Sequence, residues 1–204
     1  MQTPAAFRLV KAAEAAFPSE YGQFRIHGFE AYLGRRLEEA VALTIGDLAA
    51  RPPLVRVHSQ CLTGDVLHSL RCDCRDQLDL ALTMIAADGA GLLIYEQKEG
   101  RGIGLMNKLR AYELQDRGAD TVEANRMLGF ESDLRNYELP AAIVRHFGIT
   151  RVRLLSNNPE KVEAMQRGGI EVVERVPVIV AHAETRRSYL ETKRQKMGHL
   201  LEGF

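Results

Sequence analysis

At 204 residues the chain is long enough to bury a sizeable core, so neither disulfides nor partners are required for bulk stability. Hydrophobic residues at 46% and charged residues at 26% exclude a disordered chain. The 27 basic and 27 acidic side chains cancel, which excludes a global field drawing the protein onto nucleic acid or an anionic membrane; any anion it binds is gripped locally.

Up to about Ser59 the chain reads as strands. Residues 21–27, 40–45 and 54–58 alternate partly and end near Gly, Asp or Pro, which predicts a mainly antiparallel sheet. From Asp76 the period changes, because Leu78, Ala81, Leu82 and Ile85 recur at helical spacing. Asp88-Gly89-Ala90-Gly91 stops that helix, and residues 92–95 read as a buried strand. The alternation continues with helices over 103–116 and 140–147, a strand over 152–155, a helix over 160–166 and a strand over 170–176. Residues 188–201 carry Tyr189, Leu190, Lys193, Met197 and Leu200 on a helical stripe interrupted by Gly198, a terminal helix or a mobile tail. The expectation is an α+β fold, one domain over 1–204 on a mixed sheet. Its parts are a strand-rich, mainly antiparallel segment 1–75, a segment of alternating helices and strands 76–187, and the tail 188–204.

The first ten residues hold no apolar run behind a basic cluster, and nothing approaches the roughly 18 apolar residues of a spanning helix; the reading is soluble, unexported and cytoplasmic. All three cysteines, Cys61, Cys72 and Cys74, fall within one short segment. An odd number so closely spaced suits a metal site in a reducing compartment better than a disulfide framework. Three thiolates leave one tetrahedral position on a zinc ion for water or substrate. Two plainer readings stay open: a structural zinc closed by His58, His68, Asp65 or Asp73, and buried reduced cysteines without metal.

Residues 95–105, Tyr-Glu-Gln-Lys-Glu-Gly-Arg-Gly-Ile-Gly-Leu, run from a strand end through glycines into a helix. Backbone N–H groups there can approach an anion, a helix N-terminus favours negative charge, and Arg101 can grip a phosphate bidentately. The segment is not a P-loop, and Gly102 and Gly104 equally serve to ease a tight turn. Asp133-Leu134-Arg135 and residues 156–161 read as polar loops, the second a helix start with Ser156 or Asn158 as cap and Pro159 in the first turn. On spacing alone Lys161 is a solvated helix residue, and Arg135 with Asp133 a surface ion pair.

Taken together, these segments resemble the GTP cyclohydrolase II family, which opens riboflavin biosynthesis. The matching stretches are Arg-Val-His-Ser-Gln-Cys-Leu-Thr-Gly-Asp over 56–65, Ser-Leu-Arg-Cys-Asp-Cys over 69–74, Glu-Gly-Arg-Gly-Ile-Gly-Leu over 99–105, and 107–112, 120–125, 128–130, 156–159 and 196–201. They run in family order from about residue 20 to the end. The resemblance implies one catalytic Zn²⁺ per chain on Cys61, Cys72 and Cys74, acting at C8 of guanine with release of formate, and loss of diphosphate with Mg²⁺. It implies Arg135 as nucleophile at the α-phosphate, Asp133 as its base or orienting group, and Tyr112 near the reacting atoms. It implies GTP contacts from Arg56, Gln77, Glu99, Gly100, Arg101, Thr121, Ser156 and Lys161, and a homodimer.

Four departures stand out. Gln60 replaces a usual Glu and lacks its charge; Arg75 replaces a usual Gly and is expected to restrict the backbone. Arg135-Asn136-Tyr137-Glu138 replaces Arg-Asp-aromatic-Gly, and Ser156 replaces a frequent Thr while keeping the hydroxyl. Two other functions stay open: a paralogue stopping at a formylated or otherwise different product, and a non-catalytic nucleotide-binding protein with structural zinc.

Overall fold

A strand that alternates apolar and polar residues rests one face on a core, whereas a strand apolar throughout must be covered on both. Both kinds share one sheet. The computed structural model describes residues 7–33, 36–131, 135–180 and 198. The expected terminal helix, Gly198 apart, and Asp133 lie outside the described residues. Seven strands, β1 (Phe7–Ser19), β2 (Gly22–Leu33), β3 (Arg36–Ile45), β4 (Leu54–Ser59), β5 (Gly91–Glu96), β6 (Arg151–Leu155) and β7 (Glu171–Val176), lie in the order β1-β2-β3-β5-β4-β6-β7. β1, β2, β3 and β5 pair antiparallel, whereas β5, β4, β6 and β7 pair parallel. The mixed sheet expected from the sequence is therefore present, and β4 belongs to its parallel half.

Five α-helices accompany it among the described residues: α1 (Cys74–Asp88), α2 (Leu105–Asp116), α3 (Thr121–Met127), α4 (Glu138–His146) and α5 (Pro159–Arg167). Gly89 ends α1 in the left-handed conformation, its N–H bonded to the carbonyls of Ile85 and Ala86. Two elements have no counterpart in the sequence reading. β1 is a sheet edge exposed along most of both faces, so it lacks the alternation that would mark it; Pro18 is tolerated there because an edge needs no donor. α3 is too short to show a period, and a capping box between Asp120 and Glu123 opens it.

The two faces of the sheet carry separate cores. Val55, Val57, Leu92 and Ile94 pack with Leu139 and Ile143 of α4 and Met165 of α5. Leu54, Leu93 and Leu155 pack on the other face with Ala81, Leu82 and Ile85 of α1. The carboxyl ends of β4, β5 and β6 emerge side by side, the place where parallel sheets present ligand-binding loops. Ile94 is fully buried in the first core. Ile94→Ala is expected to lower the unfolding free energy by about 2–5 kcal/mol, measured by urea denaturation.

Candidate active site

β4 delivers Cys61 two residues past its end, and the chain then makes a π-helical turn over Leu62–Val66, in which the Leu67 N–H reaches the Leu62 carbonyl at 3.1 Å. Such turns are rare, and those that occur are frequently at functional sites. The loop returns through Cys72 to Cys74 in the first turn of α1. The three sulfurs all lie within 4.8 Å of one another, with Cys61 and Cys72 3.7 Å apart. Zn–S bonds of about 2.3 Å in tetrahedral array place sulfurs about 3.8 Å apart, so this group fits zinc. Gly64 lies against it: a Cβ there would stand 2.8 Å from the Cys72 sulfur and 3.1 Å from that of Cys61.

A buried carboxylate holds the loop. Asp65 Oδ2 accepts from the Cys61 N–H (2.9 Å) and the Tyr95 hydroxyl (2.8 Å), and Oδ1 lies 3.1 Å from His58 Nε2. His58 stacks on Tyr95 with ring centroids 5.4 Å apart, and burial lowers its pKa against the pull of Asp65. His58 and Asp65 thus engage each other, while Asp73 accepts from Gln77 Nε2 at 2.5 Å. Among the described residues no other His, Cys, Asp or Glu joins the three cysteines. Instead the sulfurs line a cleft shared with Arg56, Gln77, Tyr112, Arg135 and Lys161. Of the ways to close a structural zinc considered above, these contacts favour none.

A part-buried cation touches the cluster. Lys108 donates to the Cys61 sulfur at 3.1 Å and to Glu99 Oε1 at 2.7 Å. Burial disfavours its charge, but Glu99 and Cys61 raise it above the ordinary lysine range. Hydrogen bonds from Cys72 and Cys74, with help from Lys108, hold the Cys61 thiol far below its ordinary range; Cys72 and Cys74 are raised by the same bonds to Cys61. Glu99 also accepts from the N–H groups of Leu62 (2.7 Å) and Gly100 (3.0 Å). Its carboxylate, expected as a substrate contact, therefore bridges the cysteine loop and the glycine-rich segment.

That segment has Gly100 (φ 59°) and Arg101 (φ 60°) consecutively left-handed. Gly100 adopts this freely, whereas Arg101 does so at a cost that is characteristic of ligand-binding loops. Tyr112 faces Thr63 across the cysteine loop, hydroxyl to hydroxyl at 3.1 Å, and burial raises its pKa. Arg56 is buried in the sheet, donating to the Leu155 carbonyl (3.0 Å) and Gln77 Oε1 (2.7 Å). Burial lowers its pKa to about 10, which leaves it cationic at neutral pH.

The far side of the cleft overturns the plain reading of Lys161. It is buried, donates to the Val57 carbonyl at 2.7 Å and shares the Tyr137 ring with Arg135, each cation 5.8 Å from the ring centroid. Arg135 is half-buried and donates to Ser59 Oγ at 3.2 Å. Thr121 lines the cleft from the first turn of α3. Asn158 caps α5, accepting from the Glu160 N–H, and the Ser156 hydroxyl is exchanged with the Asn158 backbone. Arg75 stands in the first turn of α1, where helical backbone suits any side chain; instead of restricting the chain it bonds Asp79 (2.7 Å) and the Asp65 carbonyl (3.1 Å).

Residues 10–177 match the family model for GTP cyclohydrolase II. The chain belongs to that family. A GTP cyclohydrolase-2 of Haemophilus influenzae (strain PittEE) is 54% identical over 191 residues, 93% of this chain and 88% of the relative. One of Escherichia coli O9:H4 (strain HS) is 52% identical over 195 residues, 95% of this chain and 98% of the relative. A solved structure, RibBX, a two-domain 3,4-dihydroxy-2-butanone 4-phosphate synthase from A. baumannii, is 19% identical, with a TM-score of 0.44 over 84% of this chain and 40% of that one.

For this family member the sequence offered no role for Lys108, Thr63 or Glu96, and offered Asp65 only as a ligand of a structural zinc. Lys108 was within reach, since it lies four residues before Tyr112 on one face of α2. Gly64→Ala tests the cysteine loop: the added methyl crowds the sulfurs, and Zn²⁺ affinity is expected to fall about ten- to a hundredfold, measured by competition with a chromophoric chelator.

Proposed function

We propose that the protein hydrolyses GTP, opening the guanine imidazole ring at C8 and releasing formate and diphosphate to give 2,5-diamino-6-(5-phosphoribosylamino)pyrimidin-4-one, the first step of riboflavin biosynthesis. The observation that carries this reading is a thiolate trio opening into the same cleft as Arg135, Arg101 and Lys161. Zinc held by Cys61, Cys72 and Cys74 would supply Lewis acidity and a water acidic enough to ionise near neutral pH. Around it, Lys108 offsets the thiolate charge, and Tyr112, anchored on Thr63, bounds the space over the sulfurs. Glu99 and Asp65 fix the loop, so the base enters a preformed wall.

Arg56 and Gln77 support the sheet floor under the nucleotide, and Thr121 and Ser156 border it. The triphosphate, with Mg²⁺ neutralising part of its charge, is proposed to lie toward Gly100, Arg101 and Lys161. There Arg135 attacks the α-phosphorus, forming a transient guanylyl-arginine as diphosphate leaves; its later hydrolysis frees the monophosphate. Asp133 is retained as an orienting group or base.

Ring opening and deformylation are successive hydrolyses, and neutral Gln60 beside Cys61 removes one carboxylate from that neighbourhood. A product that keeps its formyl group is the second reading favoured by this residue. Mass spectrometry of the product and formate counted per GTP consumed separate the two: equimolar formate supports full deformylation, while a formylated pyrimidine assigns the slower step to Gln60. GTP left spectrally unchanged by zinc-loaded protein would make this a binding protein instead. Cys72→Ser is expected to end formate release while diphosphate release continues, and Arg135→Lys to end diphosphate release. Wild-type formate production by Cys72→Ser would overturn the zinc assignment.

A further inference from the structure

Glu96 closes β5 and is fully buried, yet its Oε1 has no hydrogen-bond partner among the described residues. Its parallel partner across the ladder is Ser59, the last residue of β4, and both follow the alternation that sends Val57 and Ile94 toward α4 and α5. Glu96 Oε2 lies 3.5 Å from Ser59 Oγ, and Ser59 Oγ accepts from Arg135 Nη1 at 3.2 Å. A hydroxyl that accepts from a guanidinium keeps its own proton to donate onward. The charged groups acting on Glu96 are Lys161 of α5, Lys98 just beyond β5, Arg135 ahead of α4 and Glu38 of β3. Lys98 is paired with Glu38 at 2.9 Å and donates to Asn136 Oδ1 at 3.0 Å.

Resting on the reading of Arg135 as nucleophile, we infer that Glu96 is the positioning and proton-accepting residue for Arg135, acting through the Ser59 hydroxyl. A guanidinium ordinarily keeps its proton above pH 12, so it needs an acceptor in line as its nitrogen bonds to phosphorus. In the step proposed, the Nη–P bond forms and the bond from phosphorus to the diphosphate oxygen breaks, with its electron pair leaving on diphosphate. The Nη1 proton passes to Ser59 Oγ while the Ser59 hydroxyl proton passes to Glu96 Oε2, so charge is conserved within the relay. When the guanylyl-arginine is hydrolysed the protons return by the same path. Burial pushes the Glu96 pKa up to about 7, against the pull of Lys161, Lys98 and Arg135, which makes it a stronger proton acceptor than an exposed carboxylate.

The test is diphosphate release from GTP and Mg²⁺ across pH, measured with the full zinc-loaded chain. The ionised carboxylate is the working form, so wild-type kcat should fall as pH drops through about 7. Glu96→Gln should lose that acid limb and lower kcat about a hundredfold, with KM for GTP nearly unchanged. Ser59→Ala should give the same loss, and the double variant no more than either alone. Because Ser59 is only half-buried, its variant keeps the test decisive should Glu96→Gln unfold. A Glu96→Gln or Ser59→Ala protein with the wild-type pH profile overturns the relay, as does loss of the limb in Asp133→Asn with its retention in Glu96→Gln. Wild-type protein that releases no diphosphate removes the underlying reading of Arg135; diphosphate release with normal variants removes the relay alone.

Discussion

Successive side chains of a strand must leave the sheet on opposite faces, and at the end of β4 this constraint divides the cleft into two. Arg56 and His58 leave on the α1 face, beside Asp65, Gln77 and the cysteine loop; Val57 and Ser59 leave on the α4 and α5 face, beside Arg135. β5 repeats the division, with Tyr95 bonded to Asp65 and Glu96 facing Ser59. On the proposed reading, one pair of adjacent parallel strands thus supplies both a base-opening wall and a phosphate wall, each with its own polar groups. A one-residue slip in the β4–β5 register would exchange them, and the cores on each face oppose such a slip.

The cysteine loop depends on this arrangement more than on its own sequence. Asp65 reaches His58 and Tyr95, one from each strand, and returns to the Cys61 N–H. Glu99 does the same from the other side, gripping the Leu62 N–H while it fixes Lys108 beside the Cys61 sulfur. Charge-assisted bonds to buried carboxylates are among the strongest that a loop can have, so the π-helical turn is held open against collapse. Arg75 adds a bond to the Asp65 carbonyl, so the departure from glycine tightens the same device.

Much of this was legible beforehand. The cysteine spacing and the change of period at Asp76 gave the sulfur cluster and the helix behind it, because both are local patterns. The solvated reading of Lys161 fails, and the structural contacts of Glu99 were hidden, for the same nonlocal reason. A lysine in the first turn of a capped helix looks solvated until β4 supplies the Val57 carbonyl beneath it. Glu99 shows no structural role until Leu62 and Lys108 arrive from distant segments. β1 was invisible because an edge exposed on both faces selects for no pattern, and α3 because seven residues span barely two turns.

The buried charges beneath the phosphate wall call for a reason of their own. A carboxylate removed from water costs several kcal/mol unless it is paired and hydrogen-bonded, and apolar residues of similar size would often stabilise the fold more. Glu38 has Lys98 as its partner, yet Glu96 faces Lys161 and Arg135 with one oxygen lacking any hydrogen bond among the described residues. These five side chains carry two negative and three positive charges. A second lysine pairing Glu96 directly would stabilise the apo fold, but it would also hold the carboxylate ionised at every working pH and block its line to Ser59. On the proposed reading, incomplete pairing keeps the carboxylate both basic and reachable, and leaves net positive charge that an incoming triphosphate would balance.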